Sequence, residues 1–239
     1  MKNRYLVIII SCIFLLSCKD KHHLDSVKIS GNVFGTTYNI TYLNTNVSYQ
    51  KSIDSLFYLM NKSLSTYIPT SDISKINNGD TTIIVDDLFL EVFQKSKQIN
   101  KETNGFFDPT VGNLVNAYGF GPQHKINNLS DEEIKNQLQF VGLNKVQIIN
   151  KKVIKENAKI YLDFNSIAKG FGIDVVARFF NSKKINNYLI EIGGEIRAKG
   201  IKNNMQPWII KLVNPVKKDS IKGFKELNLS NKSMATSGN

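Results

Sequence analysis

Ile160-Tyr161-Leu162-Asp163-Phe164-Asn165-Ser166-Ile167-Ala168-Lys169-Gly170 is the stretch on which the reading of this chain turns. Ile160 to Phe164 reads as a short strand. From Ala168 to Phe180, residues Ile173, Val176, Ala177 and Phe180 recur at helical spacing. The polar junction between them is where a strand delivers the chain to the start of a helix. A helix N-terminus presents unpaired N–H groups and the positive end of a dipole, which suits an anion. Lys169 adds charge and Gly170 permits close backbone approach, a pairing that suits phosphate. Asp163 and Ser166 carry oxygens of the kind a hard cation such as Mg²⁺ takes. The same residues serve equally as an ordinary helix cap with Lys169 in solvent, and on their own they leave both readings open.

Working outward, the chain mixes helix and strand patterns without strict alternation. Val27 to Tyr42 is rich in β-formers, with Gly31 and Gly35 as breaks, and predicts two strands around a turn. Ser48 to Ser63 places Ile53, Leu56, Phe57, Met60 and Leu64 at helical spacing, and Val85 to Thr103 does so with Leu88, Val92, Phe93, Ser96 and Ile99. Ser65 to Asn78 is polar and turn-rich. Ser130 with Glu133 three residues on is a capping box, so a helix follows to Val141. Val146–Ile149, Lys152–Lys155, Tyr188–Ile192, Glu195–Lys199, Trp208–Val213 and Phe224–Leu229 read as strands. The fold class expected is α+β, with mixed sheets packed against helices.

The N-terminus has a different character. Lys2 and Arg4 precede the apolar run Tyr5 to Leu16, which is short for a membrane span and sized for a signal-peptide core. Leu15-Leu16-Ser17-Cys18 then has the form of a lipoprotein box. The expected organisation is a lipoprotein signal peptide over 1–18 ending at a lipidated Cys18, a tether over 19–26 and one domain over 27–239. An ordinary signal peptide or an N-terminal anchor is the alternative. The two cysteines are Cys12 and Cys18, so a domain beginning after them contains no thiol, disulfide or cysteine metal site. Acyl chains would hold the protein on the periplasmic side of a bacterial membrane.

The formal charge is +11, from 31 Lys and Arg against 20 Asp and Glu. The lysines are scattered and no arginine cluster occurs, which argues against nucleic acid. A solvated lysine-rich surface is the simplest account, and attraction to anionic head groups or an anionic ligand is the functional one. None of the three histidines, His22, His23 and His124, has zinc-ligand spacing. There is no G-x-S-x-G elbow and no Walker loop.

Four further segments sit between regular elements, where sites are built. Gly105-Phe106-Phe107-Asp108-Pro109-Thr110-Val111-Gly112 reads as a shaped loop that either holds a flat heterocycle with Asp108 aimed at it or plugs the core. Ser65-Thr66-Tyr67, followed by Ser71, Ser74 and Asn77, offers a tyrosine that stacks on a ring system or covers the core edge. Ile192-Gly193-Gly194-Glu195 predicts a tight turn. Met234 to Asn239 places small hydroxyl residues beside Gly238.

In order and spacing these segments resemble the FAD:protein FMN transferase (ApbE) family. The matching pieces are Phe34 to Tyr38, Ser65 to Asn77, Gly105 to Gly112 with Tyr118 to Gly121, Asp163 to Gly170 with Asp174, Ile192 to Glu195, Pro207-Trp208, and Ala235 to Gly238. They run from about residue 30 to the end. Each piece is weak alone; their shared order makes the match specific.

The resemblance implies an FAD site between the two halves of the fold. It implies Mg²⁺-dependent transfer of FMN from FAD to a threonine hydroxyl of an exported redox protein, with release of AMP. By the resemblance, Tyr67 stacks on the isoalloxazine ring. Phe106, Phe107 and Asp108 contact FAD, Thr36 and Thr37 meet the flavin, and Asp163 and Lys169 serve flavin and phosphate. Ser166 donates an oxygen to the metal. The family pattern continues into a segment with a His and then Asp-Pro-x-Thr-Gly, which the sequence up to Asn239 does not include. The reading therefore assigns no catalytic residue and expects a C-terminally truncated member. Two alternatives follow: an FAD pyrophosphatase giving FMN and AMP, and a non-catalytic flavin-binding lipoprotein.

Overall fold

Two strands open the structure, a computed structural model that describes residues 25–122, 129–202, 205–212 and 225–236. They are β1 (Ser26–Val33) and β2 (Thr36–Leu43), paired antiparallel from Ser26↔Leu43 to Val33↔Thr36. Phe34 and Gly35 both have positive φ (51° and 74°), the type I′ geometry whose twist matches that of a two-residue hairpin. Helix α1 (Gln50–Leu64) follows and buries Ile53, Phe57, Met60 and Leu64, the stripe its spacing predicts. Helix α2 (Asp72–Asn77) is capped by Ser71, whose Oγ accepts from Ser74 N at 3.1 Å. Helix α3 (Asp87–Glu102) is capped by Asp86 and buries Phe89, Val92, Phe93 and Ser96.

The short helix α4 (Gly112–Ala117) leads towards α5 (Asp131–Leu138), which carries the expected Ser130–Glu133 capping box. The hairpin β3 (Val146–Ile149) and β4 (Lys152–Lys155) comes next. Helix α6 (Asn165–Ser182) is the longest among the described residues, and β5 (Tyr188–Ile192) and β6 (Glu195–Lys199) follow it. The ribbon β7 (Trp208–Leu212) with β8 (Lys225–Leu229) and the short β9 (Lys232–Met234) complete the described elements.

The main sheet has the order β1-β2-β5-β6-β9 and is antiparallel throughout. One face packs on α6, which is covered on its far side by α1 and α3. Sandwiched this way, α6 buries Phe171, Gly172, Ile173, Val175, Val176, Ala177 and Phe180 around much of its circumference. Phe180 stacks obliquely against Tyr42 and Tyr188 of the sheet at 4.8 and 5.4 Å between centroids. On the opposite face the β7–β8 ribbon covers Leu43, Ile196 and Ala198 with Trp208, Ile210 and Leu229. This is the α+β arrangement of mixed sheets and helices that the sequence predicts.

Three local expectations need correction. Ile160–Phe164 is not a strand; Tyr161 makes a single parallel bridge to Val111. The neighbouring ladder bonds are replaced by Asn77, whose side chain donates to Leu162 O and accepts from Leu162 N, both at 2.8 Å. α6 begins at Asn165 rather than Ala168, so Ser166 to Gly170 lie inside its first turns. The turn-rich Ser65–Asn78 contains α2, because Ser71 and Asp72 start a helix that carries Ile73 and Ile76 into the core. The leader with Cys18, the tether up to residue 24, His124 and Ser237–Asn239 lie outside the described residues. Among the described residues no helix is long and apolar enough to cross a membrane.

Candidate functional site

A cleft of about 550 Å³ opens between the tip of the β1–β2 hairpin, the C-terminal end of α1 and the first turn of α6. Phe34 and Gly35 form one wall, and Met60, Asn61 and Leu64 another. The loop residues Ser65, Tyr67 and Ile68 form the third, and Asn165, Ala168 and Lys169 close the fourth. The volume lies within the range of about 300–1,000 Å³ usual for small-molecule sites.

The tyrosine loop is held from below by the hydroxyls that follow it in sequence. Ser71 Oγ and Ser74 Oγ donate to Ser65 O at 2.6 and 3.2 Å. Tyr67 itself is half exposed and donates through its hydroxyl to Phe120 O at 2.9 Å. Burial, with the nearby Asp163 charge and Tyr161, pushes its phenol above the ordinary value of 10.0.

Asp163 stands where the chain enters α6 and is buried. Its N–H donates to Pro109 O at 2.7 Å, which ties it to the Gly105–Gly112 loop. Its carboxylate accepts from Asn165 N at 2.7 Å and Asn165 Nδ2 at 3.1 Å. Burial pushes the carboxyl above its ordinary value of 3.8, and the two Asn165 bonds oppose that shift. Two residues into α6, Ser166 is exposed. Lys169, one turn in, reaches Glu195 Oε2 at 2.9 Å. That carboxylate oxygen is buried and makes no other bond, so the ion pair is what compensates its burial.

Glu195 arrives there on a second type I′ turn. Gly193 and Gly194 have φ of 55° and 96° between β5 and β6. The two hairpin tips are locked side by side. Gly193 N donates to Thr37 O at 3.0 Å, and a Cβ at Gly193 would fall 2.6 Å from Thr36 Cγ2. Thr36 and Thr37 are thus the contact between the tips. Behind them Gly172 of α6 leaves room for Phe34, whose ring carbon would lie 2.8 Å from a Cβ there.

The sequence-predicted residues therefore divide. Tyr67 and Lys169 line the cleft, and Asp163 lies behind it, joined to its lining by Asn165. Thr36 and Thr37 directly follow the lining turn. Phe106, Phe107 and Asp108 are not on its walls. Phe106 is 96% exposed, and Asp108 turns inward. Its carboxylate accepts from Thr110 N and Oγ1, Leu143 N and Asn100 Nδ2, which fixes the loop's shape. Asp174 pairs with Arg197, and Trp208 of the ribbon donates to Lys199 O of β6 at 3.1 Å. Sequence reasoning missed Asn165 as a lining residue and Glu195 as the partner of Lys169. The Gly-Gly pair was the only local signal for Glu195, and it speaks of the turn, not of what the turn delivers.

An apolar wall with one half-exposed aromatic, facing a helix start that carries a lysine, suits a flat ring joined to a phosphate. Among the described residues no three His, Cys, Asp or Glu side chains converge. Ser166 stands exposed on the first turn of α6 with no such cluster beside it.

That architecture is the one shared with known flavin transferases. The ApbE family model matches residues 34–239, and the chain belongs to the ApbE family. It is 35% identical over 223 residues to an FAD:protein FMN transferase of Vibrio cholerae, covering 90% of this chain and 66% of that protein. The corresponding protein of Haemophilus influenzae is 33% identical over 226 residues, covering 89% and 65%. The chain thus spans just under two thirds of the length of these relatives. The solved flavin transferase ApbE from Vibrio cholerae superposes with a TM-score of 0.79 at 34% identity, covering 90% of this chain and 72% of that one. The apo flavinyl transferase ApbE of Pseudomonas stutzeri gives 0.79 at 28% identity, covering 90% and 70%.

Proposed function

We propose that this chain takes FAD as substrate and transfers its FMN half to a threonine hydroxyl of an exported redox protein, with Mg²⁺ present and AMP released. The observation that carries the reading is the placement of Tyr67 and Lys169 on the lining of one cleft, in a chain of a family whose named members are FAD:protein FMN transferases. Tyr67 stacks on the isoalloxazine ring against the apolar wall of Met60 and Leu64. Lys169, with the positive end of the α6 dipole beside it, takes the pyrophosphate. In the reaction the threonine oxygen bonds to the phosphorus of the FMN half. The bond from that phosphorus to the bridging oxygen breaks, and AMP leaves with its electron pair while the hydroxyl proton is lost. The protein groups position and neutralise, which is most of what phosphoryl transfer asks of a protein. The Leu15–Cys18 box supports a lipid anchor at Cys18, and hence action on the periplasmic side of a membrane.

Incubating the full chain in detergent with FAD, Mg²⁺ and a tagged threonine acceptor protein tests this. A flavin-fluorescent acceptor together with AMP is expected. AMP and free FMN without labelled acceptor would make water the acceptor and the protein a pyrophosphatase. Neither product, with FAD bound, would leave a flavin-binding protein and refute the transferase.

A further inference from the structure

Asn165 is bonded unlike any other residue of the cleft. Its backbone N–H donates to one oxygen of Asp163 at 2.7 Å. Its carboxamide Nδ2 donates to the other at 3.1 Å and, with its second hydrogen, to Thr66 Oγ1 at 3.0 Å. Asp163 and Thr66 are both buried. They lie 97 positions apart in sequence, and each directly supports a different part of the cleft lining, Thr66 between Ser65 and Tyr67 and Asp163 behind Asn165. Thr66 immediately precedes the ring-bearing Tyr67, and Lys169 is one helical turn beyond Asn165. The Thr66 side of this link is rigid, since Ser74 Oγ also reaches Thr66 O at 3.4 Å and both Ser71 and Ser74 hold Ser65 O. The Asp163 side is rigid as well, fixed by Pro109 O and by the two bonds of Asn77 to Leu162. A side-chain amide with two donors is what such a junction needs; a carboxylate has none and a hydroxyl has one.

We propose that Asn165 is a positioning residue for FAD, a strut whose carboxamide sets the spacing between the ring-binding Tyr67 loop and the phosphate-binding start of α6. The inference rests on the FAD reading above. The isoalloxazine ring and the pyrophosphate of FAD bind on different walls, and a change in the spacing between those walls disturbs both contacts at once. Affinity depends on the site being formed before the ligand arrives, so the strut acts on FAD binding more than on the chemical step. Thr66 is its other half: it contributes an acceptor to the strut and is itself buried.

The test is a double-mutant cycle on FAD affinity, read by flavin fluorescence with the full chain in detergent, with melting temperature recorded alongside. The variants are Asn165→Ala, Thr66→Val and the pair. Loss of the shared bond is expected to raise the FAD Kd about tenfold in Asn165→Ala and about three- to tenfold in Thr66→Val, the scale of one hydrogen bond. The pair is expected to match Asn165→Ala alone, because both changes cut the same strut. In steady state KM for FAD rises while kcat stays within about twofold, the split expected when ground-state and transition-state binding are lost together. A Kd within twofold of the wild type for both single variants, or effects that simply multiply in the pair, would overturn the proposal. So would a fall in melting temperature with unchanged Kd, which marks a purely structural bond. A wild-type chain that does not bind FAD removes the reading on which the strut rests, and the strut with it.

Discussion

Lys155→Met tests the account of how the chain is delivered to α6. Lys155 Nζ spends its three hydrogens on backbone carbonyls: Ile160 O at 2.9 Å, Ala158 O at 3.0 Å and Ile76 O at 3.1 Å. It pins the segment before Asp163 onto the end of α2, where a cation also meets the negative end of the helix. Methionine fills the same space and removes all three donors. Ile76 O keeps Asn78 N and Gly79 N, and Ala158 is exposed, so water replaces the lost bond there. Ile160 is 1% exposed, and its carbonyl is left without a partner, at a cost of about 1–3 kcal/mol. At roughly 2–4 °C per kcal/mol for a chain of this size, the melting point falls by roughly 2–12 °C. Opposing this, burial pushes the amine below its ordinary 10.5, so the charge itself is unfavourable where it sits. The folded state then binds that proton less tightly than the unfolded state. Wild-type stability therefore rises with pH between the lowered folded value and 10.5, and the rise is absent in Lys155→Met. Urea denaturation at several pH values reads both effects. A variant at least as stable as the wild type near neutral pH would show that relief of the buried charge outweighs the orphaned carbonyl, and the reasoning would fail.

Further outcomes concern the cleft. Asp163→Asn removes a carboxyl that burial holds above 3.8. Wild-type stability should fall as pH rises from 3.8 through the higher folded value, while the variant lacks this loss, so denaturation curves diverge above that window; FAD transfer by the variant should drop. Gly172→Ala puts a methyl 2.8 Å from Phe34 Cε2 and drives the ring into the cleft. Its FAD Kd should rise about three- to tenfold while the helix gains up to about 1 kcal/mol in propensity, and an unchanged Kd in a fluorescence titration would contradict the wall assigned to Phe34. Tyr67→Ala should weaken FAD by about 1–3 kcal/mol, the scale of an aromatic–base stack, and Tyr67→Phe by much less; equal losses would mean that the bond to Phe120 O matters more than the ring. Lys169→Met should reduce FAD affinity at least about tenfold and flatten its salt dependence, both measurable by titration in rising NaCl.

The helices and hairpins were legible because their signals are local. The Ile53-Phe57-Met60-Leu64 stripe, the Ser130–Glu133 box and the glycine-bearing turns each contain their own physical reason. Ile160–Phe164 was misread because a strand pattern states only which residues face inward. Its partner turned out to be the Asn77 side chain, 85 positions away from Leu162, and no periodicity announces that. Within the site, Tyr67, Asp163 and Lys169 were visible as chemical types at element ends. Asn165 and Glu195 were not, because their roles are set by tertiary neighbours, Thr66 and Lys169. Asp108 shows the converse: a conspicuous acid before a proline whose four bonds hold its own loop together.

The burial of α6 between sheet and helices has a kinetic meaning. A helix packed on both sides has no route to partial opening that does not break the core, so the amides of its buried stretch from Phe171 to Phe180 should exchange hydrogen only through global unfolding. Exchange at the Phe34–Gly35 tip, with Gly35 and Thr37 exposed, needs no such event. Lys169 is thus carried by a helix anchored in the core, and the place of its charge in the cleft is set by the global fold.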